Sequence, residues 1–168
     1  MGAFMSYQVD DFVLKGADVY RIVGVEERTL GSLPAEDYFV LDVAYPSKHK
    51  QGTSYIPVSK ADMSIRPVPA EEEIHSLFDA NDPAELAWVD NRNKRINEAR
   101  GIIASGDLHD IVRLVRIYRK RVADVPDKDL STKDREMEGR CFDLLTHVMA
   151  ASCNLSAEQS SQVIDELL

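Results

Sequence analysis

Two rhythms of apolar residues divide the chain. From Tyr7 to Pro67 the apolar positions fall in short runs, FVLK, VYRIVGV, EDYFVLDV, TSYIPV and a stretch reaching Ile65, punctuated by Gly16, Gly31, Pro34, Pro46 and Gly52. Within EDYFVLDV, Phe39, Leu41 and Val43 alternate with Tyr38, Val40 and Asp42. That period of two turns one side of a strand toward a core. Five such strands in about 60 residues predict a small β barrel.

Past Pro67 the period lengthens. Pro67 and Pro69 each push the preceding residue away from helical geometry, so the chain reads as two domains, residues 1–69 and 70–168. Glu71 to Asp79 predicts a short helix whose first-turn carboxylates complement the helix dipole, ended by Asn81 to Pro83. The next helix is expected from near Pro83 to about Ala104, with Gly106 at its C-terminal end and Ser105 or Asp107 capping its successor. Its apolar stripe, Val89, Ile96, Ala99 and Ile103, leaves the first half little to bury, so that half is expected to project. On it Trp88, Asn91, Arg92 and Arg95 follow at i, i+3, i+4 and i+7, on one side of the helix. From about Asp107 to Val122 a stripe of Leu108, Ile111, Val112, Val115, Tyr118 and Val122 faces a core, while Arg113, Arg116 and Lys120 take another face. Ser131 with Asp134, and Ser156 with Gln159, open two further helices. Met137, Cys141, Leu144, Leu145 and Val148 supply the apolar side of the first of these. The fold class is α+β, a small β barrel followed by a compact all-α domain of about five helices.

Charge changes the picture in one place. The 168 residues carry a net charge of -9, yet Trp88 to Arg121 holds nine basic residues against four acidic ones, a local +5. A pI near 4.9 argues against indiscriminate binding to nucleic acid, whose affinity comes mainly from cations on phosphates, so any DNA contact has to be local and assisted. Residues 71–168 as a whole carry -7.

Other chemistries find little support. No apolar run approaches the roughly 20 residues that span a bilayer. The opening MGAFMSYQVDD has neither a basic n-region nor a long apolar h-region, so a cytoplasmic protein without a membrane partner is expected. Cys141 and Cys153 make no disulfide framework. With His147 they fall on one expected helix at six-residue spacings, which scatters them around it and argues against a metal. The GxxxxGK[ST] and GxGxxG phosphate cradles are absent, and His49, His75, His109 and His147 show no local triad context. We therefore expect no enzyme, no cofactor and no small-molecule substrate.

Several stretches together resemble the CarD/CdnL family of bacterial RNA polymerase-binding transcription regulators: YQVDDFVLK, VEERTLGSLPAEDYFVLDV, IPVSKADMSIRPV, and ASGDLHDIVRLVRIYRKR followed by LSTKDREM. Their order and spacing are similar too. The resemblance implies a Tudor- or SH3-like N-terminal barrel that docks on the lobe of the polymerase β subunit. It implies a helical C-terminal domain that meets promoter DNA, without strong sequence preference, at the upstream edge of the bubble and stabilises the open complex. Arg28 stands where the family places a polymerase-contacting arginine, and Tyr55 where some members carry a second one. A family tryptophan wedges into the minor groove while nearby arginines hold phosphates; Trp88, Arg92 and Arg95 match those parts. Asn91, on the same expected face, and Arg113, Arg116 and Lys120 complete the candidate DNA-binding set. The acidic balance of the helical domain keeps a second reading open, an adaptor that binds polymerase or another protein without touching DNA.

Overall fold

In the computed structural model, which describes residues 7–79 and 86–168, the chain divides into two units, Met1–Val68 and Pro69–Leu168. The first is built on β1 (Phe12–Lys15), β2 (Asp18–Arg28), β3 (Glu36–Val43), β4 (Thr53–Pro57) and β5 (Arg66–Pro67). They form one antiparallel sheet in the order β4-β3-β2-β1-β5. The two-residue turn between β1 and β2 has Gly16 at φ 59°, a conformation that costs glycine nothing because it has no Cβ. One face of the sheet buries Val13, Ile22, Phe39, Leu41 and Ile56 in a core shared with Ala61 and Ile65.

Two expectations for this unit need correction. The stretch leading to Ile65 is not a strand: Val58–Lys60 is a 3-10 turn and α1 (Ala61–Ser64) follows, with only Arg66–Pro67 returning to the sheet. The sequence carried the signal, since Ala61 and Ile65 are four apart and reach the core together across one helical turn. β3 is also not apolar on one face alone, because Tyr38 and Val40, which point opposite to Phe39 and Leu41, are as buried as Phe39.

The second unit contains, among the described residues, five helices: α2 (Glu71–Ser76), α3 (Arg92–Ser105), α4 (Leu108–Asp124), α5 (Thr132–Cys153) and α6 (Ala157–Leu167). Its core is the predicted one on α4 and α5. Leu108, Ile111, Val112, Val115 and Tyr118 are buried, as are Met137, Cys141, Leu144, Leu145 and Val148. Val122, in the last turn of α4, is instead about half exposed. The caps explain the boundaries: the side chains of Asp107, Ser131 and Ser156 accept from the backbone N–H three residues on, and Gly106 ends α3 at φ 64°. Ser156 and Gln159 form a complete capping box. None of the described helices is long and apolar enough to cross a membrane.

The helix expected from Pro83 is the main error of the sequence reading. α3 starts only at Arg92, because Asn91 acts as its N-cap and accepts from the Lys94 N–H at 3.0 Å. Residues 87–90 are irregular. The break at Asn81 to Pro83 and the proposed start at Pro83 lie outside the described residues. The short helix from Glu71 stops at Ser76, three residues earlier than expected.

Candidate functional sites

In the N-terminal unit, strand register brings Arg28 and Tyr55 together. Arg28 pairs with Glu36 on β3, Tyr55 pairs with Val40, and Glu36, Tyr38 and Val40 alternate onto the same face. The two ends therefore meet over β3, with the Arg28 guanidinium 4.0 Å from the centroid of the Tyr55 ring. Both side chains remain exposed, and they lie on the face that also carries the buried Tyr38 and Val40. Tyr38 donates its hydroxyl to Glu36 at 3.3 Å; burial first, then the Glu36 charge, raises its pKa. The result is an aromatic plate topped by an unburied cation, suited to an acidic or polar protein surface.

The tryptophan site in the helical unit is built differently from the way helical spacing predicts. Trp88 precedes α3, so it does not share a helix face with Asn91, Arg92 and Arg95, yet it meets Arg95 all the same. The Arg95 guanidinium lies 4.3 Å from the indole centroid and that of Arg121, from the end of α4, 5.0 Å. Tyr118 packs against the indole edge-on, with ring centroids 6.0 Å apart. The half-buried indole is thus bracketed by cations and a fully buried ring.

Arg95 is fixed from behind. Its Nε and one terminal nitrogen donate to both carboxylate oxygens of Asp134 at 2.9 and 2.8 Å, and its other terminal nitrogen donates to the Val89 carbonyl at 2.9 Å. Asp134 is buried, and the Ser131 hydroxyl donates to it at 2.7 Å. Burial works against the charged carboxylate. The hydrogen bonds from Arg95 and Ser131 and the guanidinium charges of Arg95 and Arg92 outweigh it, holding Asp134 below the usual carboxylate range. Because the Val89 carbonyl is held by the same guanidinium, the irregular backbone just after Trp88 is tied to α3 and α5. A cleft of about 260 Å³ opens beside the indole, lined among others by Asp90, Arg121, Lys128 and Leu130.

The remaining candidates are spent elsewhere. The Asn91 side chain is a helix cap. Arg113 pairs with Asp110 at 3.0 Å, and Lys120 with Asp124. Arg116 donates to the carbonyls of Phe78 at 2.8 Å and Leu167 at 3.1 Å, stitching the ends of two other segments to α4. Arg92 is exposed at the first turn of α3 and acts on Asp134 through its charge. The structure thus brings together Trp88 and Arg95, puts Arg92 within electrostatic reach of Asp134, leaves Arg113 and Lys120 in local ion pairs, and commits Arg116 to the carbonyls of Phe78 and Leu167. Sequence reading missed Arg121, Tyr118 and Asp134 as parts of the tryptophan site. The only hint was the 3.6-residue period carrying Tyr118 to the core and Arg121 to one edge of the same turn.

Comparison with known families bears on this unit. The family model described as CarD, C-terminal domain, matches residues 77–165, more than half of the chain. The chain belongs to the CarD family of transcription regulators. The matched span holds the whole tryptophan site, from Trp88 through Arg95 and Arg121 to Asp134, as well as the α4–α5 core. No curated protein matches the chain.

Proposed function

We propose that this CarD-family protein is a non-catalytic, cytoplasmic transcription factor that binds RNA polymerase through its N-terminal unit and steadies the open promoter complex through its helical unit. The N-terminal sheet, read as a Tudor-like barrel, docks on the lobe of the β subunit with the Arg28–Tyr55 face. The helical unit meets promoter DNA at the upstream edge of the bubble through Trp88.

The observation that carries this reading is the indole of Trp88, held in place by Arg95 and flanked by Arg121, with Arg92 exposed at the first turn of α3. An aromatic plane at a surface can wedge against or stack on an exposed base step, while neighbouring guanidinium groups meet phosphates. Arg95, tied to Asp134, serves as the platform for the ring. Phosphate contact falls to Arg121 and Arg92. Two cations are too few for independent DNA affinity, and polymerase binding makes the contact intramolecular, at high effective concentration. That accounts for DNA contact by an acidic protein without sequence preference.

The test is open-complex lifetime on a promoter bound by polymerase from the same organism. Trp88→Ala is expected to shorten the lifetime while leaving co-elution with polymerase intact; an unchanged lifetime would remove the wedge from the mechanism.

A second reading has its own observation. Arg113, Arg119, Lys120 and Lys133 all sit in ion pairs with acidic residues of the same unit, which is the arrangement of a protein-binding adaptor rather than a DNA-binding surface. Salt separates the two, because release of counterions from phosphates makes DNA contact steeply salt-dependent. If the effect on open complexes is flat with salt, the adaptor is the better account.

A further inference from the structure

Glu71, His75 and Cys153 bring a carboxylate, an imidazole and a thiol to one place on the helical unit, away from the tryptophan site. One ligand atom from each lies within 4.8 Å of the others. Glu71 and His75 are one turn apart on α2, with Glu71 Oε1 and His75 Nε2 separated by 4.0 Å. Cys153 is the last residue of α5. Glu71 and His75 precede the span matched by the family model, Cys153 lies within it, and the proposed function uses none of the three.

The backbones that carry them are held in register. The Ser152 hydroxyl donates to the Pro69 carbonyl at 2.7 Å, tying the end of α5 to the segment that enters α2. Ile74, between Glu71 and His75 on α2, is buried and keeps that helix seated. Only the side chains have to move. Zinc-ligand bonds of about 2.0–2.3 Å place tetrahedral ligands roughly 3.3–3.8 Å apart. Glu71 and His75 are exposed and Cys153 is half-buried, so rotation of exposed side chains can close the remaining distance.

We propose that Glu71, His75 and Cys153 form a binding site for a thiophilic divalent cation of the zinc type, with water completing the tetrahedron. The donor set excludes the hard cations: magnesium and calcium take oxygen ligands, whereas sulfur and imidazole suit zinc and cobalt. Binding exchanges the thiol proton for the metal and releases that proton to solvent. The bound cation joins α2 to the C-terminal end of α5 and so stiffens the entrance to the helical unit.

Cobalt titration of the reduced, full-length chain tests this directly. Co2+ is expected to raise a thiolate-to-cobalt charge-transfer band together with the intense visible bands of four-coordinate geometry, and Zn2+ to bleach both. Cys153→Ser should abolish the charge-transfer band, His75→Ala should weaken Co2+ binding, and Cys141→Ser should leave both unchanged. Circular dichroism of each variant reports that the fold is kept, and thermal unfolding gives a further readout: Zn2+ raises the Tm of the wild type and of Cys141→Ser but not of Cys153→Ser. The proposal is overturned by the absence of a charge-transfer band in the wild type, or by a band that survives Cys153→Ser. These outcomes are independent of polymerase or DNA binding.

Discussion

Both candidate surfaces place an arginine over an aromatic ring, and they differ in what stands behind the arginine. Arg28 over Tyr55 is exposed, and its pairing comes only from strand register across β3. Arg95 under Trp88 is largely buried and clamped to Asp134, which is itself buried and held by Ser131. A cation over a ring at an exposed site contributes about 0.5–1 kcal/mol, little enough for a partner to displace or re-aim it. A bidentate, desolvated pair holds one geometry and makes its ring a fixed feature. The first surface is built to be re-partnered and the second to present a shape. In the proposed function, the first corresponds to the face that recognises protein and the second to the one that meets DNA.

The largest expected effect comes from breaking the clamp. Asp134→Ala leaves the Arg95 guanidinium buried without its counter-charge, and removing one partner of a buried pair costs about 3–5 kcal/mol. Denaturant unfolding of the variant should show that loss, and the environment of the single tryptophan, read by its fluorescence, should change before global unfolding. The mirror experiment on Arg28→Glu should leave stability within about 0.5 kcal/mol of wild type, as for an ordinary surface substitution, while abolishing co-elution with polymerase. If Arg28→Glu unfolds the protein, or Asp134→Ala does not weaken it, the contrast between the surfaces fails.

Acid sharpens the comparison next. The folded-state pKa of Asp134 is depressed, so its contribution is complete above the ordinary value of 3.8 and is lost as pH falls through the lower folded value. The tryptophan signal should therefore hold from neutral pH down to the vicinity of 3.8 and change only below it. In Asp134→Asn that step should disappear. Arg28 and Tyr55 have no buried carboxylate between them, and their contact should not share the step.

The smallest effect concerns the floor of the tryptophan site. The Tyr118 hydroxyl is buried without a hydrogen-bond partner among the described residues. Burial, followed by the charge of Asp134, raises its pKa strongly. Deleting the hydroxyl removes an unsatisfied polar group and keeps the ring that Trp88 leans on. Tyr118→Phe should be neutral or stabilising by up to about 1 kcal/mol, with an unchanged tryptophan spectrum. A clear destabilisation would mean that the hydroxyl has a partner in the protein.

Much of the architecture was legible because it rests on local rules. Pro67 and Pro69 marked the change of period, and Gly106, Asp107, Ser131 and Ser156 marked helix ends through capping that depends on neighbours three residues away. The α4 and α5 cores followed from a period of 3.6. The same rules misled at Trp88, where an i, i+3, i+4, i+7 pattern fitted a helix that Asn91 does not allow to begin so early. Asparagine competes for backbone N–H groups and favours the cap over the helix interior, a preference that outweighed the spacing.

The sequence by itself determined the two rhythms, most helix ends, the buried stripes and the concentration of positive charge between Trp88 and Arg121. Only the tertiary structure decided which of those charges remain available. It paired Arg95 with Asp134, 39 positions away, and spent Arg116 on the carbonyls of Phe78 and Leu167. It also set Arg121 beside Trp88, and Cys153 of α5 beside Glu71 and His75 of α2. The reason is physical: caps and stripes act within one or two turns of chain, whereas the partner of a guanidinium or a thiol is fixed by how separate helices pack.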